Sequence, residues 1–152
     1  MQRGDLMKNR LLILLAVFLT TSLAGCRIRV PETYQLLHPE NEIAHVYIVN
    51  AYIDDANELV QTERCEINDI VGFLNDFRKV PCYVYFGDPV GPIRSGEATD
   101  IIKIVYENGD YELIDYNGQA EYTQTRGYDH YTGFSIFDKE KFYSLVSDYL
   151  SN

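Results

Sequence analysis

Asn108-Gly109 and Asn117-Gly118 constrain this chain more than any other feature of its sequence. Each pair follows a run of strand-forming residues, 100–107 (DIIKIVYE) and 110–116 (DYELIDY). Asn-Gly between such runs favours a two-residue type I′ hairpin turn, because both residues tolerate positive φ and the turn matches the twist of its strands. Two in succession predict a three-stranded antiparallel meander. A two-residue loop at 108–109 sets Tyr106 opposite Tyr111 and Ile104 opposite Leu113, and Leu113 then meets Tyr122 on the third strand. One face is expected to carry Ile102, Ile104, Tyr106, Tyr111, Leu113, Ala120 and Tyr122, an apolar surface for helices to cover.

The flanking segments extend this sheet. Residues 43–53 (IAHVYIVNAYI) read as a strand covered on both faces for part of its length, 58–65 (ELVQTERC) as a more polar partner, and Asp54-Asp55-Ala56-Asn57 as the turn between them. Ile67, Ile70, Val71, Leu74 and Phe77 then recur at helical spacing, with acids early (Glu66, Asp69) and bases late (Arg78, Lys79), predicting a helix over 66–79 that Pro81 ends. Gly72 within it costs about 1 kcal/mol against Ala unless it permits close packing. Residues 82–86 and 134–137 read as strands, 87–96 as a Gly/Pro loop and 123–133 as a polar, aromatic loop. Asp138 is a suitable N-cap for a last helix over 139–150, with Phe142, Leu145, Val146 and Tyr149 on one stripe. The class expected is α+β: one largely antiparallel sheet with two helices packed on one face.

The N-terminus reads as an address. Residues 1–10 carry Arg3, Lys8 and Arg10 against Asp5, residues 11–19 (LLILLAVFL) are all apolar, and Thr20, Thr21 and Ser22 lead into Leu23-Ala24-Gly25-Cys26. A basic segment, a short apolar core and small residues before a cut describe an export signal. The apolar run falls well short of the roughly 20 residues needed to cross a bilayer. Met7-Lys8-Asn9-Arg10 makes a cleaner start without Asp5, so translation from Met7 is an alternative to Met1.

Leu23-Ala24-Gly25-Cys26 resembles the lipobox of bacterial lipoproteins. That resemblance implies a diacylglycerol thioether on Cys26 and cleavage between Gly25 and Cys26, so that the mature chain is anchored by more than one acyl chain. The expected organisation is a signal peptide at 1–25, a lipidated cysteine and tether at 26–42, and one α+β domain at 43–152. The tether reading rests on Pro31, Pro39 and the lack of a sustained period in 27–42. Tyr106-Glu107-Asn108-Gly109 in a hairpin, and Phe137-Asp138 with Phe142 opening the last helix, make the mature part similar to small lipoproteins of Gram-positive bacteria. That similarity implies a place at the cell membrane and no activity.

Charge narrows the partners. The chain has 13 basic and 23 acidic residues, and removing 1–25 leaves 10 and 22, a net charge of −12. Nucleic acid and electrostatic adhesion to anionic lipid are disfavoured, and a solvated surface or a cationic partner is favoured. With Cys26 lipidated, Cys65 and Cys82 remain; outside the cytoplasm they form either a disulfide or two free thiols that pack as small apolar groups.

No strong catalytic arrangement is present. GxSxG, HExxH, P-loop and SxxK motifs are absent, and the spacing of His38, His45 and His130 matches no metal-ligand motif, so neither cofactor nor metal is expected. Asp54–Glu58 lacks the alternating ligands and central glycine of a calcium loop. Loops on a sheet are the first place to look for function, and two stand out: 123–133, with Arg126, Tyr128, Asp129, His130 and Tyr131, and the Gly/Pro loop with Arg94. The leading expectation is a non-enzymatic, membrane-anchored domain that binds an extracytoplasmic protein or small ligand. An inhibitor or immunity protein against a cationic envelope-active agent is one alternative, and a small cell-wall hydrolase using Asp129 or His130 is the other.

Overall fold

The computed structural model describes residues 29–85, 93, 96–129 and 135–151. Two antiparallel sheets and two helices make up an α+β fold. The larger sheet has six strands: β2 (Ile43–Ile53), β3 (Leu59–Glu66), β5 (Thr99–Tyr106), β6 (Tyr111–Asp115), β7 (Gly118–Thr123) and β8 (Gly127–Asp129), in the order β3-β2-β5-β6-β7-β8. The smaller sheet sets β4 (Cys82–Tyr85) between β1 (Arg29–Glu32) and β9 (Ser135–Phe137). The single sheet expected from sequence is thus two, because β4 pairs with the N-terminal segment and β9 rather than with the meander.

Both helices pack on one face of the larger sheet. Phe73, Leu74 and Phe77 of α1 (Ile70–Phe77) and Phe142, Leu145 and Val146 of α2 (Lys139–Leu150) share a core with Val46, Ile48, Ile102, Ile104 and Ile114 of the sheet. Cys82 and Phe137 bring the smaller sheet into the same core. Val49, Ala51, Ile101, Leu113 and Ala120 form a second cluster from the opposite side of the larger sheet. Ile48 and Val49 are both fully buried, as a strand covered on two faces requires.

Local chemistry explains the helix bounds. Asp138 caps α2 as expected, its side chain accepting from the Lys141 N–H at 3.0 Å. α1 is shorter than 66–79 because β3 runs through Glu66 and the Ile67 N–H is still bonded to the Val46 carbonyl. Asp69 then caps, accepting from the Gly72 N–H at 2.9 Å. A Cβ on residue 72 would lie 2.2 Å from that carboxylate, so the glycine belongs to the cap.

The first Asn-Gly pair behaves differently from the expectation. The Gly109 N–H bonds the Tyr106 carbonyl, the Tyr106 N–H bonds the Asp110 carbonyl, and Gly109 has φ +85°. The loop therefore holds three residues, 107–109, with glycine as the left-handed third residue. Val105 now faces Tyr111, Lys103 faces Leu113 and Ile104 faces Glu112. A one-residue slip reverses the faces: Ile102, Ile104 and Tyr106 join the helix-covered core, while Leu113 and Ala120, with Tyr111 packed against them, belong to the opposite side. The second turn has a two-residue loop, but at Tyr116-Asn117, so Leu113 faces Ala120 and Tyr111 faces Tyr122.

Residues 29–42 are not a free tether. Residues 29–32 form β1, Leu36 and Leu37 pack on the main core, and Glu40–Glu42 make a 3-10 turn into β2. The boundary expected at residue 43 moves back accordingly. The polar loop at 123–133 likewise contains β8, paired with β7 through Glu121–Asp129, Tyr122–Tyr128 and Thr123–Gly127.

Candidate functional site

The segment 33–38 crosses the helix-covered side as a strap between β1 and the 3-10 turn, and two acids of the β6 end hold it. Glu112, fully buried, accepts from the Tyr34 hydroxyl at 2.5 Å, from the Tyr106 hydroxyl, and from the Leu37 N–H at 3.4 Å. Asp110, 7% exposed, accepts from the Gln124 N–H at 2.9 Å and the Asn108 amide at 3.0 Å, and lies 2.7 Å from Nε2 of His38. The His38 ring stands edge-on to Tyr106, with centroids 4.8 Å apart.

The two carboxyls are pushed in opposite directions. Burial raises Glu112 above the usual carboxylate range, against the lowering effect of its two tyrosines and the Leu37 N–H. Asp110 is lowered, first by the Gln124 N–H and then by His38. Tyr34 and Tyr106 are raised by burial and by Glu112, so both stay hydroxyl donors.

Beneath the strap lies a cavity of about 510 Å³, within the size range of small-molecule sites. Residues 32–40 form one wall, Leu74, Phe77, Arg78 and Val80 the other, and Cys82 and Phe137 close it from the smaller sheet. The Tyr34, Phe77 and Phe137 rings pack together with centroids 5.2–5.4 Å apart, giving an apolar floor. Across the mouth, Arg78 is paired with Glu40. Glu32 accepts from the Ser135 hydroxyl at 2.5 Å and lies 3.8 Å from the Cys82 thiol. Burial pushes that thiol up to about 12, so it stays protonated and is no nucleophile at neutral pH.

Cys65 and Cys82 are free. Cys65 lies on β3 of the larger sheet with its thiol 3.6 Å from the Tyr149 carbonyl, and Cys82 lies on β4 of the smaller one facing Glu32. Of the two states open from sequence, the structure has the unbridged one, with each thiol on its own sheet and in its own contacts.

Of the residues singled out from sequence, His38 and Cys82 line this cavity. Arg126 is exposed, its N–H closing the turn on Thr123 at 3.2 Å. Tyr128 and Asp129 lie on β8, the edge of the larger sheet. Cys26, Arg94, His130 and Tyr131 lie outside the described residues. His45 pairs with Glu66 at 2.8 Å on the surface. Asp54 accepts from the Ala56 and Glu58 N–H groups within the hairpin turn. Among the described residues no group of three or more His, Cys, Asp or Glu is placed to hold a metal, and no helix is long and apolar enough to cross a membrane.

Sequence reasoning missed Tyr34, His38, Asp110 and Glu112 as a set. The signal available was the paired Leu36-Leu37 flanked by Tyr34 and His38, a pattern better suited to packing than to a solvated linker. No family model, curated protein or solved structure matches the chain.

Proposed function

We propose that this protein is a lipid-anchored domain at the extracytoplasmic face of the cell membrane that binds a small ligand beneath the strap. The address is supported by the basic, apolar and small-residue order of 1–25 and by the lipobox-like Leu23-Ala24-Gly25-Cys26. The observation that carries the binding reading is the cavity: about 510 Å³, with an aromatic and aliphatic floor and charged groups at its rim. Specific sites combine these features, since apolar surface supplies affinity and a few placed polar groups supply orientation.

Two measurements test this reading. Growth with an alkyne fatty acid should label the wild-type protein and leave Cys26→Ser unlabelled; equal labelling would remove the anchor. A fragment screen followed by amide chemical shifts should give changes confined to 32–40, 74–82 and 137. Fragments that bind elsewhere, or not at all, would remove the cavity's role.

A second reading, neutralisation of a cationic envelope-active agent, is favoured by the net charge of −12 beyond residue 25. Deletion of the gene should then sensitise cells to such agents. The hydrolase reading depends on His130, outside the described residues, or on Asp129, at the end of β8.

A further inference from the structure

We infer that the ligand of the cavity is an amphiphile with a cationic amine on a compact apolar body, its ammonium group seated on Glu32. The inference rests on the reading of the cavity as a binding site and goes on to its charge.

The groups lining the cavity divide cleanly. Glu40 is engaged by Arg78, and His38 is turned to Asp110. Glu32 is different: it meets the Ser135 hydroxyl and the Cys82 thiol, both neutral, and among the described residues no cation pairs with it. Among the described residues, these two neutral donors bring no positive charge to the carboxylate. A ligand cation there would make a charge-assisted hydrogen bond, the stronger kind.

The floor suits the same ligand. Tyr34, Phe77 and Phe137 pack on one another and line the same cavity as Glu32, so they supply apolar surface for the body of an amine. Glu32 is fixed by its place in the ladder, opposite Cys82 at the end of β1. An anionic ligand meets the reverse: a carboxylate inside, a spent arginine at the mouth, and the acidity of the whole domain.

The test uses the full chain in neutral-lipid nanodiscs, with empty discs as the blank. Calorimetry at pH 7 compares 2-phenylethylammonium, 2-phenylethanol and 3-phenylpropanoate, probes of similar size that differ in charge. The amine should bind about tenfold tighter than the alcohol, as one charge-assisted contact allows, and the carboxylate should bind weakest. Glu32→Gln should erase the amine's advantage over the alcohol. Should that variant fail to fold, the carboxyl carbon resonance of Glu32 in the wild type should move with the amine and stay still with the alcohol. Equal affinities for amine and alcohol would overturn the charge assignment while leaving the cavity as a site. Binding of none of the three would overturn both.

Discussion

The Tyr34 hydroxyl donates to Oε2 of Glu112 at 2.5 Å, across 78 positions of sequence. That bond ties the N-terminal segment to a fully buried acid in the centre of the larger sheet. The strap is therefore part of the core's polar network, and the roof of the cavity depends on the protonation of groups that solvent does not reach.

Glu112 should make stability fall at high pH. Its carboxyl is raised in the folded state, so its contribution is complete below the ordinary carboxylate range and declines as pH rises through the folded value. Glu112→Gln, which is never charged, should lack that decline, and urea midpoints measured from pH 4 to pH 8 should show the wild type losing ground to the variant. Parallel curves would show that burial does not govern this acid. Glu112→Ala should destabilise at every pH, by about 1–3 kcal/mol for each tyrosine hydroxyl left unpaired.

Asp110 should act on the acid side. Its carboxyl is lowered in the folded state, so its contribution is present above the ordinary range and lost as pH falls through the folded value. Asp110→Asn should flatten that acid limb. A double-mutant cycle with His38→Ala should show coupling of about 1 kcal/mol at neutral pH. Additive effects would mean that the 2.7 Å contact holds nothing.

Gly72 and Asp69 should reverse each other's signs. In the wild type, Gly72→Ala drives a Cβ into the capping carboxylate and should cost about 1 kcal/mol, the usual loss of an N-cap. In an Asp69→Ala background the cap is already gone, and the same substitution should stabilise by up to about 1 kcal/mol through helix propensity. Thermal melts of the four proteins decide it; destabilisation by Gly72→Ala in both backgrounds would sink the cap explanation.

The thiols should differ in reactivity, and neither should bridge the other. Cys82, buried and pushed up to about 12, should resist alkylation at pH 8 until the protein is unfolded. Cys65, half-buried on β3, should react first. Reducing agent should leave the melting temperature unchanged, and a drop on reduction would reveal a bridge.

Features decided by near neighbours in the chain were legible in advance. The Asp54–Asn57 turn, the strand at 43–53 and the helix capped by Asp138 each follow from a few adjacent residues. Asn108-Gly109 also marked a hairpin, but the pair suits both a two-residue loop and a three-residue loop with glycine last. That single residue decides which face Glu112 takes. Read with the shorter loop, Glu112 faces solvent; with the longer one it faces Ile104 and needs the hydroxyls of Tyr34 and Tyr106. The strap was hidden for the same reason: its partners lie more than 70 positions away, and no local pattern announces them.

The smaller sheet draws its strands from residues 29–32, 82–85 and 135–137, so none of its ladders can form from local sequence. The β5–β7 meander can assemble as soon as its own residues are made, whereas β4 lacks its second edge until residues 135–137 follow. Folding of this layer should be slower than that of the meander, since long loops must close before any contact rewards them. Until β9 arrives, Phe77 and Phe142 lack the Phe137 ring that covers them. That interval is when a chaperone or a protease has its best purchase on the chain.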